Sequence, residues 1–265
     1  MLELEVIVIV VCVIFAARVL ESIMGFGGTV LALPILAILT PILDIKSTLV
    51  PVLALGNIVC CIGIVWVGRK DLVWSELKAI LAWMAIGLPI GFLVAGYASE
   101  VSLRFVLGLF VLAVAVAYLI RRENAEVLQE QSESPLVRAY RRVILILAGV
   151  VHGMFTTGGP LLVVYAARAL RTKGLFRVTL AMVWLILNIV MVSGWIADSR
   201  IAAQAWPLAG ITIPFIIGAV VVGDHFHHRL PEATFRKAAY VLLLIAGISL
   251  IWKSLPVLLG IAPLA

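Results

Sequence analysis

Charged residues are scarce in this chain, at 13% of 265 residues, whereas an average soluble domain has about 25%. Hydrophobic residues make up 64% of the sequence, and its mean hydropathy is +1.20. This composition excludes an ordinary soluble domain and predicts an integral membrane protein. The net charge of +6 does not indicate nucleic-acid binding, because the basic residues lie in short connections between apolar runs, where they set membrane topology.

Cysteines and catalytic motifs are also few. The three cysteines, Cys12, Cys60 and Cys61, lie inside apolar runs without the spacing of metal ligands, and we interpret them as small buried hydrophobic residues. Residues 156–159 (Thr-Thr-Gly-Gly) lack the Lys-Ser/Thr ending of a phosphate-binding loop, and the sequence has neither a nucleophile–base arrangement nor a Rossmann fingerprint. The sequence therefore predicts no ATP hydrolysis, no cofactor and no resident metal, and it favours a protein that is not an enzyme.

What the sequence does contain is an internal repeat. Residues 25–29 (Gly-Phe-Gly-Gly-Thr) interrupt a long apolar run, and residues 156–160 (Thr-Thr-Gly-Gly-Pro) interrupt another run 131 positions further on. At the same offset, a Lys-x-Thr-Leu motif at 46–49 followed by Asn57 recurs as Arg-x-Thr-Leu at 177–180 followed by Asn188. The chain therefore divides into a first transmembrane repeat at 1–122, a linker at 123–141 and a second transmembrane repeat at 142–265.

The apolar runs predict an all-α polytopic membrane protein with five helical segments in each repeat. The segment after the first glycine break holds twelve residues, which reach roughly 18 Å as a helix and fall short of the roughly 30 Å hydrocarbon core. Each repeat is therefore predicted to be a broken-helix pair, with a half-helix, followed by three full spans. The predicted segments are 4–24, 29–40, 46–67, 74–97 and 101–120, then 143–155, 159–170, 177–197, 206–223 and 235–252, with an interfacial tail at 254–265.

The Lys and Arg residues predict that the two repeats have opposite orientations. All but five of the 20 lie in four connections that the positive-inside rule makes cytoplasmic, namely 68–78, 121–142, 168–177 and 223–237. The linker then lies in the cytoplasm and both termini lie in the periplasm. The acidic start of the chain lacks the basic region of a cleaved signal peptide, so the first helix is expected to remain.

Paired helix breaks in inverted repeats are typical of secondary transporters, which bind their substrate near the middle of the membrane. Glycines allow the sharp turn, and the restarting helix exposes unpaired N–H groups and the positive end of its dipole. Two such ends that face each other would suit an anion, although the glycines could instead only permit close helix packing. The candidate binding residues at the breaks are Gly25, Gly27, Gly28 and Thr29, then Thr156, Thr157, Gly158 and Gly159.

Ionisable side chains near the breaks are further candidates. Arg18 could hold the anion through its planar guanidinium, and Glu21, three residues later on the same helix face, could carry a coupling proton. Alternatively, the two residues form a structural ion pair that braces the broken helix. His152, the repeat equivalent of Glu21, could donate to the substrate or relay a proton, or it could pack as a hydrogen-bonded histidine.

Uncharged polar side chains and one histidine cluster complete the set of candidates. Asn57 and Asn188 could line the substrate cavity or satisfy backbone groups that the breaks set free, and Ser22 is a candidate hydroxyl donor. Residues 224–228 (Asp-His-Phe-His-His) have the composition of a metal cluster. Because they fall in a predicted cytoplasmic connection, we favour a solvated loop end over a metal site.

The repeat motifs resemble the sulfite exporter TauE/SafE family, also called the toluenesulfonate uptake permease family. The likeness covers nearly the whole chain and rests on its size, its two-fold repeat and the glycine breaks with Pro34 and Pro160 in the apolar segments that follow. The resemblance implies transport of sulfur-containing or other organic anions, such as sulfite, sulfonates or sulfoacetate, across the bacterial inner membrane.

The sequence thus predicts a secondary transporter, most simply an exporter, that works by alternating access between two inverted halves. Its expected partners are a small anion, the lipid bilayer and a proton or sodium ion as the candidate coupling ion. An anion channel is the alternative within transport. A membrane enzyme or a non-transporting accessory subunit is the alternative outside it.

Overall fold

The computed structural model describes residues 3–120, 135–170, 172–227 and 232–260, and these residues form an all-α fold. A π-helical turn at Ile45–Leu49 leads directly into the third helix, and a 3-10 turn at Arg69–Asp71 follows it. The helices are α1 (Leu4–Met24), α2 (Gly28–Leu39), α3 (Val50–Gly68), α4 (Trp74–Tyr97), α5 (Glu100–Ile120), α6 (Pro135–Phe155), α7 (Gly159–Ala169), α8 (Lys173–Ala197), α9 (Ala205–His227) and α10 (Glu232–Leu258).

The ten helices of the described residues lie where the apolar runs predicted them, but several ends differ; α8 begins at Lys173 instead of residue 177, and α9 continues to His227 instead of ending at residue 223. Helix α6 begins at Pro135 instead of residue 143, so seven residues of the predicted linker are helical and α6 matches α1 at 21 residues. Helix α10 continues to Leu258, so the first part of the predicted interfacial tail extends a span instead. The rest of the linker prediction, at 123–134, and the end of the tail, at 261–265, fall outside the described residues.

Within the described ranges, six helical segments are long and apolar enough to cross a membrane. Large hydrophobic side chains lie on the outer surface, among them Trp66 at 73% and Tyr97 at 90% exposure, as expected for a surface that faces lipid. The six segments are Leu4–Met24, Ile45–Asp71, Trp74–Tyr97, Glu100–Ala117, Lys173–Ala197 and Ala205–His227.

The helix contacts repeat when the two halves are exchanged. Helix α1 packs on α9 as α6 packs on α4, and α3 packs on α9 as α8 packs on α4. Helices α3 and α8 pack on each other, as do α5 and α10. The contacts therefore follow the repeat that the sequence contains, while the opposite orientation of the halves in the membrane stays a prediction.

The α4–α6 interface is unusually close because each helix presents glycines to the other. A Cβ built on Gly87 would lie 2.0 Å from the Ile146 carbonyl oxygen, and one built on Gly149 would lie 2.3 Å from the Met84 carbonyl oxygen. Only a residue without a side chain allows backbones to approach this far. On α1, the repeat equivalent of Gly149 is Arg18, so the two helices differ chemically at this position.

Candidate functional site

The first helix break occurs between α1 and α2, where the sequence places it. Gly25 ends α1 in the left-handed conformation, with φ 81°, and its N–H bonds to the Glu21 carbonyl at 2.6 Å. Gly27 precedes α2 with φ 96°. A Cβ on Gly25 would also lie 2.5 Å from the Arg177 Cα, so both backbone conformation and space require glycine there. Helix α2 has twelve residues and is the predicted half-helix.

The second break occurs between α6 and α7. Thr156 adopts the left-handed conformation, with φ 54°, and its hydroxyl donates to the Phe155 carbonyl at 2.7 Å. Helix α7 starts at Gly159 and has eleven residues, with Pro160 in its first turn, where the missing N–H costs no hydrogen bond. Both predicted breaks are therefore real interruptions, each followed by a half-length helix.

The two breaks are neighbours in the interior of the molecule. A Cβ built on Gly159 would lie 3.7 Å from the ring of Phe26, which belongs to the first break. The same Cβ would lie 3.7 Å from the ring of Trp184 on α8. The indole N–H of Trp184 donates to the Gly25 carbonyl at 3.2 Å, so this side chain contacts both breaks. No sequence pattern points to Trp184, which looks like any aromatic residue of an apolar span.

A row of buried polar side chains joins the two halves. The Asn57 amide donates to Glu21 Oε1 at 2.7 Å, and the Asn188 amide donates to Asn57 Oδ1 at 2.7 Å. His152 lies beside Asn188 at the far end. Glu21 and His152 are repeat equivalents, and so are the two asparagines, so the row Glu21–Asn57–Asn188–His152 is itself two-fold in arrangement. The asparagine amides donate to other side chains and not to the backbone groups that the helix breaks leave unpaired.

Arg18 is fully buried, and the protein itself occupies both of its terminal nitrogens. Nη1 pairs with Glu21 Oε2 and lies 3.4 Å from the Thr29 hydroxyl, while Nη2 donates to the Leu53 carbonyl at 2.7 Å. A guanidinium with these partners has little left to offer a ligand. The contacts therefore favour the interpretation of Arg18 and Glu21 as an ion pair that braces the end of α1.

Ser22 belongs to a second polar group, which the sequence did not predict. Its hydroxyl donates to the Val220 carbonyl at 3.0 Å and accepts from Arg177 Nη2 at 3.4 Å. Arg177 Nη1 forms an ion pair with Asp224 Oδ1 at 2.8 Å. Arg177 could have been noticed as the repeat equivalent of Lys46, but its partner Asp224 lies on another helix and shares no sequence pattern with it.

The start of α7 is surrounded by polar atoms that lack partners within the described ranges. His152 is fully buried, and neither ring nitrogen has a hydrogen-bond partner among the described residues, although Asn188 lies close. The Thr157 hydroxyl and Asn188 Oδ1 are also buried and unpartnered. The His152 ring stacks on Trp184, with centroids 5.4 Å apart and an angle of 15° between the planes. Buried polar atoms are costly to leave unpaired, so their concentration at one place marks a functional region.

Two cavities lie at opposite ends of α3 and α8. One has a volume of about 540 Å³ and lies at the C-terminal end of α3 and the start of α8, with Gly68, Arg177 and Asp224 in its wall. The other has a volume of about 450 Å³ and lies before α3 and at the end of α8, with Lys46, Trp195 and Arg200 in its wall. Asn57 and Asn188 lie between these ends, so the buried polar row separates the two cavities.

Asp44 lines the second cavity and is the N-cap of the π-helical turn. Partial burial raises the pKa of this carboxyl, but hydrogen bonds from the Ser47 backbone N–H, at 2.7 Å, and hydroxyl, at 2.9 Å, lower it. The hydrogen bonds prevail, so the pKa lies below its usual value and the carboxylate is charged at neutral pH.

The histidine cluster at 224–228 does not form a metal site in the part of the chain that the structure describes. Helix α9 runs through to His227, so these residues form a helix end where a loop was expected. The carboxylate of Asp224 is paired with Arg177, and Nδ1 of His227 lies 2.6 Å from the Ile23 carbonyl. His228 falls outside the described residues.

Comparison with known proteins identifies the family. The family model described as "Sulfite exporter TauE/SafE" matches residues 9–250, which is most of the chain. The chain belongs to the sulfite exporter TauE/SafE family. The chain is 26% identical over 184 residues to a curated protein, the "Probable inner membrane transporter protein TsaS" of Comamonas testosteroni. The aligned region covers 68% of this chain and 74% of that protein. No solved structure matches the chain.

Proposed function

We propose that this protein is a secondary transporter that moves a small sulfur-containing or organic anion, such as sulfite, a sulfonate or sulfoacetate, across the inner membrane. Membership of the sulfite exporter family supports the substrate class, and the likeness to an inner membrane transporter supports the location. The observation that carries the proposal is the buried polar row at the junction of two helix breaks, midway between two cavities.

We infer that the protein works by alternating access, which this arrangement supports. The substrate enters the buried junction from one cavity and leaves through the other after one half rocks against its counterpart. Because the positive-inside rule makes the ends at 68–78 and 168–177 cytoplasmic, the 540 Å³ cavity opens to the cytoplasm and the 450 Å³ cavity opens to the periplasm. The termini then lie in the periplasm and the linker lies in the cytoplasm.

Export is the simpler direction for an anion. A membrane potential that is negative inside favours the exit of each negative charge by about 2.3 kcal/mol per 100 mV, so export needs no coupled ion. Uptake would need a coupled proton or sodium ion, and Glu21 is the candidate proton carrier because it is the buried carboxylate of the polar row.

Counterflow in liposomes tests the proposal. Purified full-length protein is reconstituted with unlabelled sulfite inside, and the uptake of trace ³⁵S-sulfite is followed; the same assay is run with methanesulfonate. A carrier gives transient, saturable accumulation of label, because exchange through an alternating site does not require net flux. A linear, non-saturating flux without counterflow would instead establish a channel, and the absence of flux for every tested anion would reject transport by this chain alone.

A further inference from the structure

The two half-helices begin in different chemical surroundings. At the start of α2, a Cβ built on Gly28 would lie 2.5 Å from Glu21 Oε2, so the carboxylate of Glu21 sits against the first residue of this helix. A helix N-terminus favours a negative charge through its free N–H groups and its dipole. A carboxylate of the chain therefore already lies beside the start of α2.

The start of α7 has no such carboxylate. The repeat equivalent of Glu21 is His152, and the equivalent of Arg18 is Gly149, so the whole ion pair is missing from the second half. The Cβ of His152 lies 3.1 Å from a Cβ built on Gly158, the residue that caps α7, which puts the imidazole at this helix start. Both ring nitrogens and the Thr157 hydroxyl are buried there with no protein partner among the described residues.

We propose that the anionic group of the substrate binds at the start of α7, in the place that the Glu21 carboxylate takes at the start of α2. The inference rests on the proposed transport function and deepens it. The anion accepts hydrogen bonds from the free N–H groups of α7, from one N–H of His152 and from the Thr157 hydroxyl. Trp184 forms an apolar wall, because it stacks on His152 and its ring is 3.7 Å from the Cβ position of Gly159.

The proposal gives the two halves different roles. The first half holds an anionic group of its own chain, because Arg18 and Asn57 both bond to the Glu21 carboxylate. The second half holds the exchangeable anion. Glu21 is then connected to the substrate through the asparagine pair, since Asn188 lies beside His152 and donates to Asn57.

Two matched threonine variants test the assignment without adding charge. Thr157→Val removes a hydroxyl that has no protein partner, so we expect a folded protein whose affinity for sulfite and methanesulfonate falls about ten- to hundredfold, the usual effect of losing a hydrogen bond to a charged group. Thr29→Val removes the hydroxyl at the start of α2, where Glu21 occupies the anion position. We expect it to leave both dissociation constants unchanged.

A variant that adds a negative charge at the start of α7 also tests whether the anion binds there. His152→Glu copies the residue of the first half and puts a protein carboxylate where the substrate binds, so binding should be lost. His152→Gln is similar in size and keeps an N–H donor, so it should bind within about tenfold of the wild type. Dissociation constants are measured by ligand-induced thermal shift on purified full-length protein, which also reports whether each variant is folded.

The outcomes separate this assignment from the transport proposal. If wild-type protein binds sulfite and Thr29→Val weakens binding more than Thr157→Val, the anion lies at α2 and the assignment is wrong while transport stands. Equal losses in both variants would mean one site shared by the two helix starts, which also overturns it. If wild-type protein binds neither sulfite nor methanesulfonate and shows no flux, both proposals are rejected.

Discussion

At the scale of single residues, the protein keeps a buried charge pair in the last two turns of α1. Arg18 and Glu21 are 0% and 3% exposed, and their partners Leu53, Thr29 and Asn57 all lie in the first half. Removing two ions from water is expensive, so such a pair survives only where further hydrogen bonds satisfy both groups. Both carboxylate oxygens of Glu21 and both terminal nitrogens of Arg18 have partners, while Arg18 Nε has none among the described residues, so most of this condition is met inside an apolar helix.

If Arg18 and Glu21 brace α1 as an ion pair, the effect of replacing one of them on the free energy of unfolding should depend on whether the other is present. Arg18→Met should lower the free energy of unfolding by about 3–5 kcal/mol, because it leaves the Glu21 carboxylate buried without its counter-charge. Arg18→Met combined with Glu21→Gln should regain most of this loss, since no net charge is then buried. Unfolding of the purified protein in mixed detergent micelles, titrated with SDS, measures all three free energies.

A surface pair provides the control for this cycle. Asp198 and Arg200 form an ion pair at 2.9 Å, but their side chains are 45% and 34% exposed. Asp198→Asn should therefore change the free energy of unfolding by no more than about 1 kcal/mol. If the Arg18→Met/Glu21→Gln double variant is as unstable as Arg18→Met alone, the two residues are not an energetic pair and the bracing interpretation fails.

The sequence singled out most residues of the site but not their contacts. Glu21, His152, Asn57 and Asn188 were found because the repeat aligns them and because polar residues are rare in apolar spans. Nothing in the sequence could show that the two asparagines bond to each other, since this depends on how α3 packs on α8. Trp184 was missed for the same reason, because its importance comes only from the neighbours that the fold gives it.

At the scale of helices, glycines interrupt helices at the two breaks and let α4 and α6 pack closely. Only the interruptions could be predicted from the sequence. The breaks at Gly25 and Gly158 were predicted because each is followed by a segment too short to cross a membrane. Helix α6 begins eight residues before its predicted start, because the arginines at 138, 141 and 142 belong to the helix although their charge is typical of a loop. They are spaced on one helix face, and Arg142 lies over the ring of Trp83 at 5.0 Å, so a contact with α4 supports the polar turn.

The glycines of the α4–α6 interface lead to the second prediction. Gly87→Ala should lower the free energy of unfolding by about 1–3 kcal/mol, because its methyl group would lie 2.0 Å from the Ile146 carbonyl oxygen and force two backbones apart. Gly210→Ala on α9 is the matched control. A Cβ there meets nothing within 4 Å, so the change should be neutral or stabilising by roughly 0.5–1 kcal/mol.

The same SDS titration compares the two alanine variants. Because both changes add one methyl group to a helix, propensity alone would shift them equally. An equal response of Gly87→Ala and Gly210→Ala would show that the close approach of α4 and α6 does not limit stability, and the account of this interface would then be wrong.

At the scale of the whole molecule, composition predicted the all-α membrane fold and the repeat predicted its internal plan. The contact pattern goes further, since α1 packs on α9 and α6 on α4, each across the boundary between the halves. The two halves are thus interleaved instead of lying side by side. This could not be read from the sequence, because hydropathy shows that a helix faces lipid or protein but not which helix it meets.

Interleaved halves place the two cavities at opposite ends of α3 and α8, and this leads to the last prediction, on orientation. Ser47 lines the cavity assigned to the periplasm, and Thr172 lines the cavity assigned to the cytoplasm. Cys60 and Cys61 are buried as the sequence predicted, but Cys12 is exposed, so Ser47→Cys and Thr172→Cys are made in a chain with Cys12 replaced by alanine. A membrane-impermeant maleimide should label Ser47→Cys in intact spheroplasts and Thr172→Cys only in inverted vesicles, because 25 residues of α8, about 37 Å of helix, separate the two ends. Labelling of both cysteines from one side would mean that the cavities share a face of the membrane, and alternating access through the buried row would then be impossible.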